Sequence, residues 1–181
     1  MIESFKNLEI NGVKVFKLKS FKDNRGSFSE TFIKNSSFAE FQIDYVQENE
    51  SISKKNVFRG MHFQKDSFSQ SKLLRVSYGS IIDFLYDLRK SSKSFKKIIN
   101  YKLNTNEMIF IPKGVAHGFL SLQDDTIINY KCDELYNPEM EYGFNLFKSD
   151  IDINPNFKIS DFILSDKDKN LPSLNNSFYF E

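Results

Sequence analysis

The chain has no tryptophan and only one cysteine, two histidines, four arginines, four prolines and seven glycines among 181 residues. One cysteine, Cys132, excludes an internal disulfide and a cysteine cage for a metal. It lies in an alternating run, which makes it inert packing rather than a reactive thiol. Two histidines and that cysteine cannot assemble a three- or four-ligand nitrogen and sulfur site, so no metal is expected. Charges of the two signs nearly cancel (25 basic, 24 acidic), so nothing draws the whole molecule to nucleic acid or lipid, and electrostatic binding has to be local. No apolar run approaches the roughly 20 residues that cross a bilayer. The start, Met1-Ile2-Glu3-Ser4-Phe5-Lys6, lacks the charged-then-apolar order of a signal peptide. A cytoplasmic protein with no membrane and no nucleic-acid partner is the expectation.

What is present is period-2 alternation. The length suits one domain, 1–181, with a real core. Strand patterns run over 13–18, 27–32, 45–49, 57–64, 73–77, 81–88, 98–103, 108–111, 118–122 and 126–132. Turn signals separate them, among them Asp23-Asn24-Arg25-Gly26, Tyr78-Gly79, Asn104-Thr105-Asn106 and Pro112-Lys113-Gly114. Many short strands at such spacing predict an all-β sandwich or barrel. Helix is scarce: one or two turns over 36–41, and another short piece after Pro155. The polar tail beyond Leu171 reads either as loose or as docked on a partner subunit. Most of the twenty phenylalanines are expected to fill the taper of the barrel, leaving a minority to face a ligand.

Because Lys is the default cation here (21 of 25), each of Arg25, Arg59, Arg75 and Arg89 is a candidate for the planar donor fork that matches phosphate or carboxylate. Seventeen residues, from Arg59-Gly60-Met61-His62-Phe63-Gln64 to Lys72-Leu73-Leu74-Arg75, carry two of these arginines, two lysines (Lys72 among them) and a histidine. On adjacent strands such a segment can aim cations and a titratable imidazole into one cavity. That equipment suits an anionic ligand and a proton transfer. A strand histidine is more often a hydrogen-bonded core residue, but a buried cationic cluster without an anionic ligand would be costly.

Pro112-Lys113-Gly114-Val115-Ala116-His117-Gly118-Phe119 resembles the second conserved box of the cupin superfamily, although the His-x-His of the usual metal-binding first box is absent, since Gln64 stands two residues after His62. The boxes Asp23 to Glu30, Gln47-Glu48-Asn49, Arg59 to Gln64, Lys72 to Val76, Asp83 to Arg89, Ile111 to Phe119, Tyr130-Lys131, Tyr136-Asn137-Pro138 and Glu141 follow in order. Together they strongly resemble the dTDP-4-dehydrorhamnose 3,5-epimerase family over roughly residues 10–170.

The resemblance implies a cupin-type jelly-roll β-barrel with a few short peripheral helices, no cofactor and a homodimer with strand exchange. It implies a nucleoside-diphosphate 4-keto-6-deoxy sugar as substrate, in bacterial surface-polysaccharide synthesis. By position, His62 is the base, Tyr130 the acid, Asp168 the carboxylate paired with the histidine, and Lys72 the cation near the keto oxygen. Arg25, Glu30, Gln47, Asn49, Arg59 and His117 match sugar- and diphosphate-binding positions, with Arg25 reaching the neighbouring subunit's site. Tyr136 and Glu141 match the nucleoside end. Departures are Asn154 and Ile98 where relatives often carry Trp, so a GDP-linked 4-keto heptose stays open beside the dTDP-linked hexose. A ketoisomerase on the same barrel is disfavoured by Gln64, and a non-catalytic nucleotide-sugar-binding cupin would not need the His62, Tyr130 and Asp168 combination.

Overall fold

Alternating strands with one apolar face can be stable only when two such faces meet. In the computed structural model, which describes residues 2–33, 43–151, 157, 159–175 and 178–181, they meet as two antiparallel sheets. The strands are β1 (Ile2–Asn7), β2 (Lys14–Leu18), β3 (Phe21–Asp23), β4 (Gly26–Phe28), β5 (Gln47–Ser53), β6 (Phe58–Gln64) and β7 (Lys72–Tyr78). They continue with β8 (Ser80–Asp87), β9 (Ile98–Asn104), β10 (Glu107–Ile111), β11 (Val115–Ser121), β12 (Thr126–Cys132) and β13 (Glu141–Gly143). The first sheet is ordered β1-β2-β10-β7-β12-β5 and the second β13-β6-β11-β8-β9, while β3 and β4 form a separate hairpin. The chain crosses between sheets repeatedly, and the result is the all-β cupin-type jelly roll. Single-turn 3₁₀ segments and one four-residue helix, α1 (Asp166–Lys169), are the helices among the described residues.

The predicted strands are found, with shifted edges. The 27–32 pattern is a strand only over Gly26–Phe28, and 118–122 begins earlier, at Val115. β3 and β13 are three residues each, and β1 is exposed along nearly its whole length, so none carries an alternation that stands out in the sequence. The helix expected over 36–41, and position 154, lie outside the described residues. The described end of the tail packs on its own chain. Phe178 is buried, and the Phe180 backbone bonds both ways with Leu88 O and Lys90 N at 2.9 Å.

The phenylalanines are not where the sequence placed them. Between the sheets the buried side chains are aliphatic (Val15, Leu74, Val76, Ile81, Leu85, Ile109 and neighbours), with Phe119 the one buried phenylalanine there among the described residues. Phe58, Phe63, Phe84, Phe144 and Phe178 instead form a second core on the outer face of the second sheet, beneath the C-terminal third of the chain. Branched side chains interdigitate across the even gap of about 10 Å between packed sheets. Flat rings fill the uneven space under irregular chain in edge-on pairs, such as Phe58 with Phe147 at 4.9 Å.

One irregularity in β6 decides where its side chains go. His62 lies opposite His117 and Arg59 opposite Phe119, so Gly60 and Met61 together face only Gly118. This is a β-bulge, and it reverses the alternation along the strand. Phe58, Met61 and Phe63 enter the outer core, and Arg59, His62 and Gln64 turn inward. The bulge depends on glycine. A Cβ on Gly60 would sit 2.5 Å from Gly118 Cα, and Gly60 has a φ of +125° that L side chains rarely adopt. Gly60→Ala is therefore expected to destabilise the protein by about 2–5 kcal/mol, combining backbone strain with overpacking, as measured by urea denaturation. A change below about 0.5 kcal/mol would mean that the two strands do not approach this closely.

Candidate active site

Inward-facing positions of both sheets leave a cavity of about 440 Å³, within the range of small-molecule sites. The first sheet contributes Gln47, Asn49 and Ser51 from β5, Lys72 and Leu74 from β7, and Tyr130 from β12. Register explains the layout: Tyr130 stands in one row with Leu74 and Asn49, and Cys132 in the next with Lys72 and Gln47. The second sheet contributes Arg59, His62 and Gln64 from β6, His117 and Phe119 from β11, and Glu141 from β13. Tyr136 and residues of α1 close the mouth.

His62 Nε2 lies 2.7 Å from Asp168 Oδ1. Asp168 is held by α1: Ser165 caps the helix by accepting the Asp168 N–H at 3.1 Å, and Asn145 Nδ2 donates to the Asp168 carbonyl at 3.3 Å. Burial works against ionisation of Asp168. The His62 hydrogen bond and charge, helped by Ser165 and the Gly60 backbone, outweigh it and hold the carboxyl below the usual aspartate value. A carboxylate fixed on Nε2 leaves Nδ1 as the ring nitrogen able to take a proton.

Directly across the ladder from His62, His117 Nδ1 lies 3.2 Å from Asp83 Oδ1. Both groups are buried, and burial drives both toward neutrality: it raises Asp83 well above the usual carboxylate range and, with Lys72 and His62 nearby, lowers His117 well below the usual imidazole range. Asp83 Oδ2 is buried with no hydrogen-bond partner among the described residues. Burial also lowers Lys72, against the pull of Cys132, Asp83 and Glu141. Tyr130 is raised, chiefly by burial, so its phenol holds its proton through neutral pH. The Cys132 thiol is pushed up to about 11, again chiefly by burial, which fits packing rather than reactivity.

Arg59 lies at the cavity wall, its Nε donating to Ser53 Oγ at 3.1 Å. Glu141 Oε2 accepts from the Tyr136 hydroxyl at 2.5 Å and from Lys167 Nζ at 2.6 Å. These bonds overcome the effect of burial and keep Glu141 below the usual glutamate value. Gln47 Nε2 donates to Asn49 Oδ1 at 2.9 Å.

Ten of the twelve residues singled out from the sequence therefore line or brace one cavity. Arg25 and Glu30 are the other two. Arg25 sits at the tip of the β3–β4 hairpin, 86% exposed and paired with Asp23, and Glu30 is half-buried just beyond β4. Arg75 and Arg89 also fail to reach the cavity. Alternation sends Lys72 and Leu74 inward and Arg75 outward to Asn129, whereas Arg89 pairs with buried Asp87 and donates to Asn11 O. The reading of the sequence missed Lys167, Gln70 and the role of Asp83. A signal for Asp83 existed, because an aspartate inside Ile81-Ile82-Asp83-Phe84-Leu85 must be buried with a partner. Nothing local marks Lys167. Among the described residues, no group of three His, Cys, Asp or Glu side chains is arranged to hold a metal ion, and no helix is long and apolar enough to cross a membrane.

A jelly roll whose interior carries a histidine–carboxylate pair on one wall and a protonated tyrosine on the other is equipped for acid–base chemistry on a bound small molecule. A family model described as dTDP-4-dehydrorhamnose 3,5-epimerase matches residues 7–176. The epimerase of that name from Methanothermobacter thermautotrophicus is 40% identical over 171 residues, covering 92% of this chain and 91% of that protein. The crystal structure of the Elizabethkingia anophelis enzyme superposes with a TM-score of 0.88 at 32% identity, covering 97% of this chain and 98% of that one. The Legionella pneumophila enzyme, solved with dTDP-4-keto-L-rhamnose, gives 0.84 at 28% identity, covering 98% of each. The chain belongs to the dTDP-4-dehydrorhamnose 3,5-epimerase family and is by class an isomerase.

The His62–Asp168 pair has a measurable signature. A carboxyl depressed in the folded state stabilises it above the unfolded aspartate value, and that contribution is lost as pH falls through the folded value. The gap in Tm between wild type and Asp168→Asn should be widest above about pH 5 and narrow as pH falls below about 4. A gap that stays constant from pH 7 to pH 3 would show that the pair does not lower the Asp168 pKa.

Proposed function

We propose that this chain is a nucleoside-diphosphate 4-keto-6-deoxy-sugar 3,5-epimerase with a dTDP-linked hexose as substrate. The observation that carries the reading is the placement of His62, on the second sheet and paired with Asp168 of α1, and of Tyr130, on the first sheet, facing a shared cavity. Two packed sheets stand about 10 Å apart, which leaves room for a sugar ring between a base on one face and an acid on the other.

The 4-keto group acidifies the hydrogens at carbons 3 and 5. His62 Nδ1 takes one of them, and the C–H electron pair moves into the adjoining C–C bond while the carbonyl becomes an enolate. Asp168 stabilises the imidazolium so formed. Lys72, drawn toward its charged form by Cys132, Asp83 and Glu141 against burial, would offset the enolate oxygen, and His117, kept neutral, would offer a hydrogen bond beside it. Tyr130 then returns a proton to the opposite face of the ring and inverts that carbon. Arg59 suits the diphosphate, with Gln47 and Asn49 beside it, and Tyr136 and Glu141 serve the nucleoside end.

The whole chain, 1–181, would act as one cytoplasmic epimerase domain in surface-sugar synthesis, as a homodimer and without a cofactor. The exposed β3–β4 hairpin supports the dimer, because Phe28 at 66% exposure and Phe21 at 44% present apolar surface that a second copy would cover. Arg25 at its tip, and Glu30 beyond it, would complete the partner's site rather than their own.

Incubation with dTDP-4-keto-6-deoxyglucose in deuterium oxide should place deuterium at carbon 3, carbon 5 or both. His62→Ala should slow exchange at least about 10³-fold while dTDP binding changes less than about threefold. Tyr130→Phe should stop net inversion. Exchange only with a GDP-linked 4-keto sugar would reassign the substrate, and no exchange with either series would overturn the epimerase reading.

A further inference from the structure

The chain between β12 and β13 passes over the cavity mouth, and there Leu135 and Tyr136 are 58% and 50% exposed. Exposed loops ordinarily leave their backbone polar groups to water. Here four consecutive residues give theirs to the side-chain amides of three glutamines. Gln70 Nε2 donates to Glu134 O at 2.7 Å. Gln64 Nε2 donates to Leu135 O at 3.2 Å and to Phe68 O at 2.8 Å, while its Oε1 accepts the Asn137 N–H at 2.7 Å. Gln47 Oε1 accepts the Tyr136 N–H at 2.8 Å.

We propose that Gln64, supported by Gln47 and Gln70, is a positioning residue that sets the Tyr136 platform for the nucleotide end of the substrate; the identity of that ligand rests on the function proposed above. The chemistry calls for amides. The loop offers two carbonyls, at 134 and 135, and two N–H groups, at 136 and 137, so the side chains that hold it have to donate and accept in turn. A lysine could only donate and a carboxylate only accept. Gln64 is 4% exposed and its amide serves three backbone groups at once, so removing it leaves those groups underbonded beneath the loop. Gln64 also follows His62 by two residues on β6, so the inward face that carries the proposed base carries the loop's anchor too. Gln47, matched by resemblance to a substrate-binding position, lines the cavity and also serves the loop: its carbonyl is engaged by Tyr136 N–H while its nitrogen donates to Asn49.

A device of this kind acts on ground state and transition state alike, so it moves KM and Kd rather than kcat. Gln64→Leu should raise the Kd for dTDP and the KM for substrate about tenfold with kcat within about threefold, and should speed hydrogen exchange at the Tyr136 and Asn137 amides at least about tenfold. Gln64→Glu, which keeps an acceptor for Asn137 N–H and loses both donors, should fall between. If Gln64→Leu does not fold, Gln70→Leu removes one bond and should move Kd and local exchange in the same direction by a smaller factor. A fall in kcat at unchanged KM, or unchanged exchange at residues 136 and 137, would overturn the proposal. If wild type binds neither dTDP nor GDP, the epimerase reading fails, and amide exchange still decides whether the glutamines hold the loop.

Discussion

Gly60 and Gly118 let β6 and β11 approach so closely that a methyl group on Gly60 would overlap the backbone of Gly118. That contact permits one extra residue in β6, and the rest of the site depends on it. Without the bulge, period-2 alternation would put Arg59 and His62 on opposite faces of the sheet, one in the cavity and one in the aromatic core. With it, Arg59, His62 and Gln64 all face the cavity, while Phe58, Met61 and Phe63 stay in the outer core. The position of the proposed base, its pairing with Asp168 and its place opposite His117 all follow from this local geometry.

The outer core gives the bulge its support. Phe63 packs against Tyr142, Phe178 and Phe180, so the C-terminal segment lies against the strand whose inner face carries His62. The same part of the chain supplies α1 and brings Asp168 to His62. The His62–Asp168 pair, separated by 106 positions, is thereby held by two layers that meet at one strand. Each buried phenylalanine contributes on the order of 1.5–3 kcal/mol, which is ample to fix so short a helix that would not form alone.

Inside the cavity, burial and mutual attraction pull in opposite directions. Burial moves Lys72, Asp83 and His117 toward neutral forms, while Cys132, Asp83 and Glu141 draw Lys72 back toward its charged form. Asp168 and Glu141, which hold stronger hydrogen bonds, remain ionised. An interior of this kind is responsive to charge: a ligand that brings a diphosphate or develops an enolate meets donors already in place, with little solvent reorganisation. At the mouth the balance is different. The 134–137 loop is held by neutral amides, whose hydrogen bonds do not depend on the charge of what is bound.

Much of this was legible in order along the chain. Alternation in 73–77, 81–88 and 126–132 shows strands because side-chain direction in a strand depends only on parity. The histidine, tyrosine and lysine of the site stand in boxes whose order carries the family resemblance. Other features were not legible, each for a physical reason. Parity fails at Gly60, since a bulge arises from contact with another strand. The phenylalanines read as barrel filling, because composition reports burial without saying which side of a sheet is buried. Arg75 and Arg89 looked like ligand donors because rarity says nothing of direction. Gln64 looked like a mere missing histidine, and its amide acquires meaning only where the 134–137 backbone crosses it. The sequence by itself determined the strands, the chemical inventory and the family, because local periodicity and residue type are properties of the chain alone. Only the tertiary structure decided which residues share a face, which charges are buried together and what holds the mouth of the cavity, because those depend on close approach between segments far apart in sequence.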